Sequence, residues 1–142
     1  MPTYDLAAIR SELETLLGTV PTVSFVYPRR NPTIEGYPCI IFDIVSADNE
    51  MLTNVQNERT LVFRIWLVQE IGNAGMETAN QLLDDLTKDT IAILEDTDNI
   101  SLDGNVDWIM PVEGAREEVS SPQGSAIWQI LDLQVRVVSS VL

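Results

Sequence analysis

The stretch NERTLVFRIWLVQE, residues 57–70, constrains the fold of this chain more than any other. It alternates with the two-residue period of a strand, so Leu61, Phe63, Ile65 and Leu67 share one face. Val62, Trp66 and Val68 share the other, with Arg64 among them. A strand in a small domain usually hides one face and wets the other. Here both faces are largely apolar, so the second one also needs a cover.

The rest of the chain is read around that strand. Residues 3–17 have helical spacing, with Leu6, Ile9, Leu13, Leu16 and Leu17 in one apolar stripe and Arg10, Glu12 and Glu14 opposite. Thr3 or Asp5 suits the start and Gly18 the end. A short strand over 22–28 ends at Pro28, and the loop RRNPTIEGYP follows. Residues 39–46 form a second strand, apolar on both faces except at Asp43. Residues 46–58 are polar with apolar islands at Met51, Leu52 and Val55, and are too long for a tight hairpin turn, so they read as a long projecting loop, or a hairpin extension, that contacts something.

After the central strand, GNAG breaks the pattern and Asn73 suits a helix cap. The helix buries Ala79, Leu82, Leu83, Leu86, Ile93 and Leu94 and wets Asp84, Asp85, Lys88 and Asp89. Residues 95–105 are turn-rich. A strand over 106–112 is closed by Pro111, residues 113–124 read as an exposed loop, and a long strand begins at Ala126. The order is α-β-β-β-α-β-β. It predicts one α+β domain over residues 1–142, a mostly antiparallel sheet with two helices on one face.

Composition limits the chemistry. There is no histidine, which removes Ser-His-Asp, Cys-His and histidine metal sites. The single cysteine, Cys39, lies in an apolar run and reads as a small buried hydrophobe. Asp96 and Asp98 begin a calcium-loop pattern that fails at Ile100 and Ser101. Paired carboxylates such as Asp85 and Asp89 sit beside Lys88 and read as a solvated helix face. Trp66, Trp108 and Trp128 lack basic neighbours and read as packing residues, not as a stacking platform. Asp43 is the carboxylate expected to be partly buried, paired for example with Arg64. The expectation is a non-enzyme with no catalytic residue, metal or cofactor. No apolar run reaches the roughly 20 residues of a membrane helix, and the N-terminus does not read as a signal peptide.

The charge is lopsided, with 22 acidic residues against 8 basic and a formal net of −14. Such a surface repels nucleic acid unless a basic patch intervenes. The candidate patch is Arg29–Arg30, which also reads as a solvated loop or a salt-bridge pair. Strands apolar on both faces suit either a subunit covered by copies of itself or a sheet covered by its own loops and helices.

The arrangement resembles the tail terminator, or tail completion, proteins of long-tailed bacteriophages, of the lambda type. The likeness lies in the N-terminal amphipathic helix, YPCIIFDIV, the polar stretch leading into NERTLVFRIWLVQE, the helix AGMETANQLLDDLTKDTIAIL, VDWIMPVEG and the closing AIWQILDLQVRVV. It spans nearly the whole chain and rests on order and pattern. It implies a hexameric ring at the head–tail junction of the virion, assembled in the host cytoplasm. Such a ring caps the tail tube, stops its polymerisation and meets the head connector and neck proteins, while DNA passes through the lumen without specific binding. No membrane is involved. The interface candidates are Asp48, Asn49, Glu50, Met51, Leu52, Asn54, Val55 and Glu58 in the polar stretch, with Arg29, Arg30, Glu117 and Glu118 in the other loops. The alternatives are a head-completion or connector neck protein, and a non-viral acidic binding module that mimics DNA or inhibits a basic protein.

Overall fold

A computed structural model describes residues 4–53, 55–73, 75–121 and 124–140. The described residues form helices α1 (Leu6–Leu17) and α2 (Gly75–Glu95) and strands β1 (Phe25–Tyr27), β2 (Cys39–Met51), β3 (Gln56–Glu70), β4 (Trp108–Ser121) and β5 (Gly124–Ser140). The expected element order and α+β class hold. The sheet order is β1-β2-β3-β5-β4, antiparallel except for β1 beside β2.

β3 is the centre. It pairs with β2 from Cys39↔Val68 to Met51↔Asn57 and with β5 over its whole length, from Gln56↔Ser140 to Glu70↔Ala126. Its odd-numbered face supplies Leu61, Phe63, Ile65 and Leu67 to the main core. Ile9, Leu13 and Leu17 of α1 and Ala79, Leu83, Leu86 and Leu94 of α2 cover that face, so the helices share one side of the sheet. Asp5 caps α1 by accepting from the Ala8 N–H at 3.1 Å. Thr87 and Thr90 are buried in α2 because their hydroxyls donate to the Leu83 and Leu86 carbonyls, each at 2.7 Å. The cap position before Gly75, like Thr3, lies outside the described residues.

Several expectations are corrected. The first strand is limited to Phe25–Tyr27. Of the two readings of 46–58, the hairpin extension holds and the long loop does not: β2 runs on to Met51 and β3 begins at Gln56, so a short turn joins them. The residues of this stretch are mostly polar and have no apolar alternation to read, and the backbone ladder to β3 holds the part up to Met51 extended. The stretch 113–124 is also not a loop. β4 passes through Pro111 and pairs with β5 as far as Ser121↔Gly124, with an irregularity between Glu113 and Arg116. Proline is tolerated there because β4 is the edge strand.

On the helices, Leu82 is 49% exposed and does not join the buried side, and Ile93 packs only partly against the core. Arg10 is not on a wet face, since its guanidinium reaches the sheet. Leu83→Ala and Leu86→Ala should each cost about 2–5 kcal/mol, because each leaves a cavity under the sheet. Leu82→Ala should cost less than about 1 kcal/mol, because half of its surface is already wet. Urea unfolding of the three variants measures the contrast.

Candidate functional site

The end of the β2–β3 hairpin is the first feature that calls for a function. Asp48, Asn49, Glu50 and Met51 pair with Thr60, Arg59, Glu58 and Asn57. The turn is held by the Leu52 and Thr53 N–H groups, which donate to the Gln56 carbonyl at 3.0 and 3.2 Å. This end is built and regular, yet it presents Met51 at 70% exposure, Leu52 at 43% and Val55 at 40%. Asn54 lies outside the described residues. Glu50 and Glu58 face each other across the ladder, and Arg136 offsets the like charges with its Nε 2.7 Å from Glu58. On the other side the Arg59 guanidinium lies 4.4 Å from the centre of the Tyr4 ring, which ties the start of the chain to the hairpin.

Arg29 and Arg30 do not form a free basic patch. Arg30 turns to Asp43, with Nε 3.5 Å from Oδ2 and its backbone N–H donating to the same oxygen at 3.3 Å. Arg10 from α1 donates to Asp43 Oδ1 at 2.9 Å and to the Pro28 carbonyl at 2.6 Å. Asp43 is thus the carboxylate expected to be partly buried, but its partners are Arg10 and Arg30. Arg64 instead makes a two-point pair with Asp132, at 2.9 and 3.2 Å. Arg29 is exposed.

The second face of β3 carries no helix among the described residues. At one end Cys39, Ile41 and Val68 form a small second core, closed by Tyr27, Tyr37, Trp66, Ala126 and Trp128. This is the packing role expected of Trp66 and Trp128. The Arg64–Asp132 pair occupies the middle of this face, and Met110 and Val112 of β4 stand exposed. The loop after β1 lies against the closed end. Tyr27 Oη accepts from the Glu35 N–H at 2.8 Å, and Ser24 donates to the Tyr37 carbonyl at 3.1 Å. Gly36 packs closely under the half-exposed Phe25 ring, and a Cβ there would stand 2.7 Å from it, so the ring would have to shift.

Between this loop and the ends of β4 and β5 lies a groove of about 610 Å³, with Ile34, Tyr37, Val68, Ala126 and Trp128 in its walls. Sequence reading missed it because its walls come from segments far apart in the chain. Glu117, beside the groove, accepts from the Trp128 Nε1–H at 3.2 Å, and Glu118 is exposed on β4. The structure therefore separates the candidate residues. Asp48, Asn49, Glu50, Met51, Leu52, Val55 and Glu58 share the hairpin end, Glu117 and Glu118 lie toward the other end of the sheet, and Arg30 belongs to the clamp on Asp43.

Among the described residues no group of three or more His, Cys, Asp and Glu could hold a metal ion, and no helix is long and apolar enough to cross a membrane. Burial pushes the Cys39 thiol up to about 12, so it stays protonated beneath the second core. Among known proteins, neither a family model nor a curated sequence matches this chain.

Asp43 gives a test of how α1 is held. Burial raises its carboxyl, but hydrogen bonds from Arg10, the Ile44 N–H and the Arg30 N–H, with the charge of Arg10, outweigh that, and the value falls below the ordinary one. A lowered carboxyl stabilises the fold fully above its ordinary value and loses this as pH falls through the lowered one. Asp43→Asn should cost about 1.5–3 kcal/mol at neutral pH. Urea unfolding across a pH series should show the gap to the unmodified protein narrowing in acid. Cys39 has the opposite sign: its contribution is full below the ordinary thiol value and is lost as pH rises through about 12. Native protein should resist thiol alkylation at mildly alkaline pH, and unfolded protein should react at once, as mass spectrometry reads directly.

Proposed function

We propose that this chain is a structural ring subunit of a bacteriophage tail, a terminator that caps the tail tube, stops its polymerisation and joins it to the head connector. The observation that carries this reading is the sheet itself: helices cover one face, the other is closed only at one end by a small second core and leaves Met110 and Val112 exposed, and the hairpin end presents Met51, Leu52 and Val55. A chain that lives alone rarely leaves such apolar features wet. A subunit leaves them for its neighbours.

The charge supports the same reading. A ring made of copies with a net charge of −14 repels a duplex passing through its lumen, so DNA slides without being held. The partners are further copies, expected as a hexamer, the tube protein on one side and neck proteins on the other. The protein works in the virion at the head–tail junction and catalyses nothing. A second reading is favoured by the same charge: an acidic module that binds a basic protein, whose affinity falls steeply with salt.

Native mass spectrometry of the purified chain, alone and with its tail-tube protein, tests the proposal. A six-fold species in either condition is the expected outcome. A monomer or dimer in both, together with salt-sensitive capture of a basic protein, would replace the ring reading with the acidic module.

A further inference from the structure

The hairpin end and the groove lie at opposite ends of one strand. β3 runs from Gln56, beside the turn, to Glu70, which lines the groove. Those fifteen residues span about 45 Å at roughly 3.3 Å each. The turn of one molecule therefore cannot enter its own groove. Each copy carries an exposed apolar knob at one end and an open, largely apolar groove at the other, and neither is filled by the described residues.

Charge narrows the choice of occupant. On a chain of net −14, most approaches of one copy to another are repulsive. Residues 51–57, MLTNVQN, carry no charge at all. Among the described residues lining the groove, Glu70 is the one charged side chain. Glu50 and Glu58 flank the turn and Glu117 stands beside the groove, yet the two patches carry less charge than the rest of the surface, so two copies meet there with less repulsion than elsewhere. A basic partner would be drawn elsewhere, toward the carboxylates.

We infer that the hairpin turn of one copy seats Met51 and Leu52 in the groove between Ile34 and Trp128 of the next. The contact joins different surfaces on the two copies, so it runs head to tail and either closes into a ring or continues as a filament. A turn in a groove covers less than the roughly 800 Å² per partner of a stable pair. An isolated dimer is therefore weak, and the contact becomes durable when every copy both gives a turn and receives one. This deepens the ring reading by naming its subunit contact, and it rests on that reading for closure.

The test uses the full chain and two kinds of variant. Met51→Asp with Leu52→Asp charges the turn, and Ile34→Asp charges the groove. All three residues are exposed, so the fold should survive, and thermal unfolding checks it. If Ile34→Asp unfolds the chain, Thr33→Glu on the same wall takes its place. Native mass spectrometry is run at millimolar concentration, alone and with tube protein. The unmodified chain should assemble, and each variant alone should associate at least about tenfold more weakly. An equal mixture of the two variants retains one intact turn and one intact groove, so it should form a pair containing one of each and nothing larger.

If the unmodified chain assembles and the charged turn does not disturb it, the turn-in-groove contact is wrong while the ring reading stands. If the mixture forms no mixed pair, the contact is likewise wrong. If the unmodified chain remains monomeric in both conditions, the contact and the ring reading fail together.

Discussion

The two ladders of β3 hold everything else in place. A strand paired on both edges over most of its length has no freedom of register, and a slip of one residue would turn Leu61, Phe63, Ile65 and Leu67 away from the helices. The helices cannot choose another face either, because Ile9, Leu13 and Leu17 and the buried side of α2 have no other apolar surface of that size to cover. The backbone pairing thus decides which side of the sheet becomes core. The second face, with its ion pair in the middle and its aromatic cluster at one end, is what remains.

How much of this was legible depends on whether a segment repeats an apolar period. α1, α2, β3 and β5 do so, and their order and most of their buried residues follow from spacing alone. Ser46 to Met51 and Glu113 to Ser121 are mostly polar, with no apolar alternation, and look like loops. They are strands because a neighbouring backbone supplies their hydrogen bonds, and side-chain pattern carries no record of that. Pro111 was misleading for a related reason: it ends a strand inside a sheet but not on its edge.

Long side chains were the other source of error. Arg10 stands off the apolar stripe of α1, where a solvated residue is expected, yet its reach brings it to Asp43 and the Pro28 carbonyl. Arg64 is directly opposite Asp43 in register but turns to Asp132 on the other neighbour. Register tells which groups are available to each other and leaves open which pair forms. At the candidate surfaces, the exposed Met51 and Leu52 were visible as apolar islands. The groove was not, since it exists only after Ile34, Val68 and Trp128 are brought together.

The edge strand has a consequence for solubility. The outer side of β4 is the kind of free edge on which sheets of separate molecules zip together and precipitate. Here Pro111 offers no donor, the ladder is interrupted between Glu113 and Arg116, and Glu113, Glu117 and Glu118 crowd the strand with negative charge. Backbone-to-backbone growth along that edge is blocked at several points. On this edge, contact with another molecule falls to side chains and not to a continuous backbone ladder.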